Sequence, residues 1–305
     1  MKTILILTDF SKKANSAAEF AMHMAIKAKA KLLLCHAMES VLPLPEGTEF
    51  NWLPSVQKLQ EKCMTDLLVI GDNLKKLISE DSYQPEIEYL TLAGSLADVT
   101  LELLHERDID LIVSGAHKTG GLLNFFSKSH SHSIMDKIDC PVLFIPEGLQ
   151  FTGIKNLSYA TDLSFSNAKV LPFLAKMATP FGASIDVHHI SAGEFSSVVS
   201  KQTVEYSLRK LLKEHRPAVT YHCIKNANVR AALLEMKLSG QTDILTLVHK
   251  KYDFIDSLLH QSISKQLAGT AGVPLLVLPF SFSQNNADFS SEELDQFCYK
   301  TGELR

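Results

Sequence analysis

The chain has 305 residues, 46% of them hydrophobic and 21% charged, a composition that fits two globular domains and leaves little room for extended disorder. A formal net charge of -4 gives no global signal for nucleic-acid binding or for a membrane surface. Five widely spaced cysteines, Cys35, Cys63, Cys140, Cys223 and Cys298, form no C-x-x-C pair, so reduced thiols in a cytoplasmic protein are expected rather than a disulfide framework or a cysteine zinc site. The first ten residues, MKTILILTDF, lack a signal-type cleavage region, and no apolar run is long enough to span a bilayer.

In chain order, Thr3 to Leu7 is a short apolar run that ends in Thr8-Asp9-Phe10-Ser11. Such runs suit strands buried on both faces. Ser11 fits an N-cap, and Ala17, Phe20, Ala21, Met24, Ala25 and Ala28 then recur at helical spacing, opposite Asn15, Glu19, His23 and Lys27. Further strands are predicted near 31–37, 85–91, 110–114 and 141–145, and helices near 12–29, 54–79, 95–107 and 129–138.

This text then repeats. Ile154 to Ala160 leads into Thr161-Asp162-Leu163-Ser164, and Val170, Phe173, Leu174, Met177, Ala178 and Phe181 each lie 153 residues after a counterpart in the first helix. Asp243-Ile244-Leu245 and Val273-Pro274-Leu275-Leu276 match Asp110-Leu111-Ile112 and Cys140-Pro141-Val142-Leu143 at an offset of 133, so the second copy is 20 residues shorter. The extra stretch, about 40–61 with Pro43, Pro45, Gly47, Trp52 and Pro54, reads as an elaborated connection or as cover for part of a pocket. Second-copy strands fall near 154–160, 183–190, 218–224, 243–248 and 274–278, and Pro172 is expected to kink its first helix or delay the start. Strands alternating with helices imply crossover connections and a parallel sheet covered on both faces, with ligands at the carboxyl ends of the strands. The domain boundaries expected are 1–148 and 152–280, joined by a linker near 147–153 and followed by a polar tail, 281–305.

Thr8-Asp9-Phe10-Ser11, the Ala-rich helix after it, Gly94-Ser95 opening a helix, the strand ending in Ser114-Gly115 and Cys140-Pro141-Val142-Leu143 together resemble the universal stress protein (UspA-like) family. The second copy joins through Thr161-Asp162-Leu163-Ser164 and Val273-Pro274-Leu275-Leu276-Val277, so the resemblance extends as a tandem pair to about residue 279. It implies two doubly wound parallel-sheet α/β domains, Rossmann-like and adenine nucleotide alpha hydrolase-like. It also implies a pseudo-dimer of the halves, packed through their last strands, and is compatible with a further homodimer.

Family members divide into ATP binders and non-binders, and the binders share a G-x-x-G-x9-G-[ST] loop together with an acidic residue at the end of the first strand. Backbone amides exposed by glycine approach the phosphates, and the hydroxyl adds a donor. In this chain the pattern falls on Gly115, Lys118, Lys128 and Ser129, beside Ser114, and in the second copy on Val248, Lys251, Gln261 and Ser262. One glycine of three remains in the first copy and none in the second. The lysines bring positive charge for phosphate but fill the space where backbone would approach. Asp9 and Asp162 are candidates for contacts to an adenosine moiety, or caps after their strands. His117, His130 and His132 lie on or just after the loop and suggest either a zinc site or solvated side chains. His188 and His189 project to opposite faces of a strand and read as structural or surface residues.

No nucleophile elbow, H-E-x-x-H or complete Walker loop is present. Nothing in the sequence argues for a committed enzyme, and the reading expected first is a cytoplasmic stress-response regulatory or interaction module with degenerate nucleotide loops. Its rivals are an ATP-binding switch with slow hydrolysis, using the first-copy loop, and a pocket for another small anion or a metal.

Overall fold

The computed structural model describes residues 1–38, 53–116, 138–161, 169–191, 217–225, 229–248 and 272–283. They divide into two units, with the boundary between Phe151 and Thr152. In the first unit, β1 (Thr3–Leu7), β2 (Lys31–Met38), β3 (Ile87–Ala93), β4 (Leu111–Ala116) and β5 (Val142–Pro146) alternate with α1 (Lys12–Ala28), α2 (Leu53–Lys75) and α3 (Leu96–Glu106). The strands are parallel and lie in the order β3-β2-β1-β4-β5. This is the doubly wound arrangement, in which the direction of winding reverses between β1 and β4.

The continuous apolar runs behave as expected of strands covered on both faces. Ile4, Leu5, Ile6 and Leu7 are fully buried, as are Leu111, Ile112 and Val113. Helix α1 begins where Ser11 accepts a hydrogen bond from the Ala14 amide, and α3 where Ser95 accepts one from Asp98. Of the stripe predicted on α1, Ala17, Phe20, Ala21, Met24 and Ala25 are buried and Ala28, at the end of the helix, is half-buried; the buried face is wider than the stripe because Ala14, Ala18 and Met22 join it. Its polar face is not uniformly wet: the His23 ring stacks on Phe151 at 4.8 Å, and Phe151 also meets Phe20 edge-on at 5.0 Å.

The second unit repeats the frame with β6 (Asn156–Thr161), α4 (Val170–Ala178), β7 (Ser184–Ser191), β8 (Val219–Lys225), α5 (Val229–Leu238), β9 (Ile244–Val248) and β10 (Leu275–Leu278). Its strands are again parallel, in the equivalent order β8-β7-β6-β9-β10. Pro172 is the third residue of α4, in the first turn, where a missing N–H leaves no intrahelical bond unmade. Phe181 falls in the 3-10 turn Thr179–Phe181 that follows, which ends at Gly182 with φ 63°. Apart from its last residue, Ile138, the helix predicted near 129–138 lies outside the described residues, as do the stretch 39–52 and the tail beyond 283.

One aspartate ties each frame together. Asp110, just before β4, accepts hydrogen bonds from the amides of Lys2 (2.6 Å) and Thr3 (3.2 Å) at the start of β1. Asp243, its repeat partner before β9, does the same for Lys155 (2.6 Å) and Asn156 (2.8 Å) before and at the start of β6. A carboxylate so placed fixes the register of two adjacent parallel strands and satisfies amides that the ladder leaves open. Asp243→Ala is expected to cost about 1–2 kcal/mol in urea unfolding followed by circular dichroism, the scale of lost charge-assisted bonds; an unchanged midpoint would remove this role.

Candidate functional site

The carboxyl ends of β1, β2 and β4 meet at the switch point of the first unit, and Asp9, Ser114 and Gly115 are brought together there. Asp9 follows β1 and its carboxylate is engaged locally. Its Oδ1 accepts from the Ser11 amide at 3.1 Å and from the Ser11 hydroxyl, while Oδ2 lies 3.3 Å from Lys13 Nζ, one helical turn on. Partial burial pushes the Asp9 carboxyl up, but the Ser11 hydroxyl and amide and the Lys13 ammonium together outweigh it, and the net shift is downward. The carboxylate is therefore the resting form, and its side chain remains 52% exposed. Lys13 is the opposite case, with a side chain only 8% exposed. A buried ammonium requires such a partner.

Ser114 is fully buried at the end of β4. Gly115 has a steric reason to be glycine. A Cβ at that position would lie 2.4 Å from both the carbonyl carbon and oxygen of Lys13, so the first turn of α1 rests on bare backbone of β4. The loop between β1 and α1 is held by further local bonds. Phe10 has φ 61°, a left-handed conformation uncommon for a bulky side chain, and its amide donates to Thr8 Oγ1 at 3.0 Å. Its ring lies 4.3 Å from that of His36 on β2, centroid to centroid. His36 Nδ1 is 2.8 Å from the Thr8 carbonyl oxygen. A carbonyl only accepts, so Nδ1 carries the hydrogen and Nε2 of the neutral ring is left as an acceptor.

Lys13, Phe10 and His36 were not singled out by sequence. The i,i+4 spacing of Asp9 and Lys13 was the one available signal, whereas His36 reaches the site only through the parallel register of β1 and β2. Of the remaining candidates, Lys118, Lys128, Ser129, Asp162 and Ser262, and the histidines His117, His130 and His132, lie outside the described residues. Among the described residues no group of three or more His, Cys, Asp or Glu side chains is placed to hold a metal ion. Cys35 and Cys140 are buried, and burial pushes both thiols up to about 12, so neither is a nucleophile near neutral pH. No described helix is long and apolar enough to cross a membrane.

A doubly wound parallel sheet with an acidic residue after β1 and a glycine near the end of β4 defines a Rossmann-like α/β domain. Residues 1–146 match the universal stress protein family. Within them the chain is 27% identical over 145 residues to universal stress protein YxiE of Bacillus subtilis (strain 168), covering 47% of this chain and 97% of that protein. It is 29% identical over 146 residues to a universal stress protein of Thermus aquaticus encoded in the QAH/OAS sulfhydrylase 3' region, covering 47% and 98%. A crystal structure of a universal stress protein from Archaeoglobus fulgidus DSM 4304 covers 91% of this chain and 96% of its own with a TM-score of 0.60; at 12% identity this is a likeness of fold alone. Residues 1–146 thus form a universal stress protein domain.

Gly115→Ala is expected to destabilise the first unit by about 1–3 kcal/mol, because the clash is with helix backbone that cannot turn aside. Chemical denaturation without any added ligand isolates this effect. A variant as stable as the parent would show that the glycine is there for another reason.

Proposed function

We propose that the chain is a tandem stress-response regulatory module that acts in the cytoplasm through contacts with other proteins, without a committed nucleotide cycle. The observation that carries this reading is the state of the two features that survive from the nucleotide-binding pattern. Asp9 is already engaged by Ser11 and Lys13, and Gly115 is accounted for by the approach of α1. With Lys118 and Lys128 in the other glycine positions, little of a backbone phosphate cradle remains in the sequence. The second copy, with Val248, Lys251 and Gln261, retains less. Free, buried thiols at Cys35, Cys63 and Cys140 suit a reducing compartment.

A second reading, an ATP-binding switch in the first unit, is favoured by one observation: the Asp9 carboxylate is half exposed at the strand edge where ligands of such sheets bind. In that case Asp9, Ser114, Gly115, Lys118, Lys128 and Ser129 would form the site, with the lysines supplying point charges to the phosphates.

Equilibrium dialysis of the purified full chain against ATP and magnesium, with extraction of any co-purifying nucleotide, separates the two. The interaction module predicts no nucleotide in the extract and no saturable binding up to about 1 mM, a free energy near -4 kcal/mol. Saturable binding that is lost in Lys118→Glu would replace it with the switch.

A further inference from the structure

The second unit departs from the first on one face of its sheet. Where β2 and β3 present Leu33, Cys35, Glu88 and Leu90 side by side, the register-equivalent positions of β7 and β8 hold Asp186, His188, Thr220 and His222. The parallel register sets Asp186 beside Thr220 and His188 beside His222. The two imidazoles stack at 4.8 Å with their planes 16° apart. Asp186 Oδ1 lies 3.7 Å from His222 Nε2 and also accepts the Thr220 hydroxyl, while its Oδ2 accepts from Asn156 Nδ2 at 2.5 Å. His188 Nδ1 is buried and has no hydrogen-bond partner.

We propose that the stacked His188–His222 pair, served by the single carboxylate of Asp186, makes the second unit acid-sensitive, so that β7 and β8 loosen as the pH falls below neutrality. The carboxylate of Asp186 lies against His222. A proton on His188 would sit in a buried position against the stacked His222 ring, with no second carboxylate on this face among the described residues. The groups that face the pair bear this out. On β6, Ser158 lies beside Asp186 and Ala160 beside His188, neither of them charged, with Asn156 bonded to the Asp186 carboxylate; on β7 the charged group is Asp186, and on β8 the neighbours are Thr220 and His222. Helix α5, packed on the same face, brings Ala232, Leu233 and Met236 to the cluster that holds Ile190, and its Glu235 is exposed. His189 and Tyr221 point to the other face, where His189 Nδ1 and the Tyr221 hydroxyl are 3.1 Å apart.

The sign follows from linkage. Burial, and then the charge of His222, push the His188 imidazole down to about 4 against an opposing pull from Asp186. A histidine with a lowered folded value costs nothing while it is neutral in both states, above the unfolded value near 6.5. Its penalty grows as the pH falls from there towards 4.

Amide hydrogen exchange of the full chain, read by mass spectrometry at pH 7.5 and 5.0 and corrected for intrinsic chemical rates, tests this. Peptides from β7 and β8 are expected to lose protection on the order of tenfold at the lower pH. His188→Phe, which keeps a ring but cannot be charged, is expected to hold its protection, and His222→Gln, which removes the like charge, to lose markedly less than the parent. Should His188→Phe not fold, His222→Gln decides alone. Equal parental protection at both pH values, or a parental-sized acid loss in each variant that folds, would overturn the proposal.

Discussion

The constraint on which the site of the first unit depends is the contact between the first turn of α1 and the end of β4. The Lys13 carbonyl occupies the volume a side chain at position 115 would need. That proximity brings the start of α1, and with it Asp9 and Ser11, to the switch point of the sheet. Lys13 is buried there, and the Ser11 hydroxyl and amide, with the Lys13 ammonium after them, hold Asp9 as a carboxylate. Cap, ion pair and glycine are therefore one arrangement, in which removing any member strains the others. A residue at a ligand-binding edge that is so well employed locally carries less weight as a ligand contact than its position suggests.

The frame was legible in the sequence because two strong periodicities and a repeat agree. Continuous apolar runs marked the described strands to within about two residues, and the 153-residue offset recovered α4 from α1. The site was less legible, for physical reasons that differ by residue. Phe10 gives no sign in one dimension that its φ is positive. His36 meets Thr8 and Phe10 only because β1 and β2 pair in a particular register. Asp110 and Asp243 were matched as repeat partners, yet their common task, holding the amides of the neighbouring strand, depends on strand order, which composition and spacing do not specify.

His188 and His222 show the same limit across a longer span. They are 34 residues apart in sequence and adjacent in the sheet. Strand alternation sends His188 and His189 to opposite faces, as the two-residue period requires. What the period does not reveal is that His189 finds a tyrosine and the fully enclosed side of the sheet, whereas His188 finds another imidazole and a carboxylate.

The two units thus diverge in what the same backbone carries. In the first, polar side chains gather at the carboxyl ends of β1 and β2, where doubly wound sheets bind ligands. In the second, they extend along one face of β6, β7 and β8, from Asn156 and Asp186 to His188 and His222, at positions that are mostly apolar in the first. Polar groups on a sheet face that packs beneath a helix cost stability unless they are fully paired, and here one buried nitrogen is not. A face that is stable only while its histidines are neutral couples the packing of that copy to proton activity, a signal that needs no bound ligand at all.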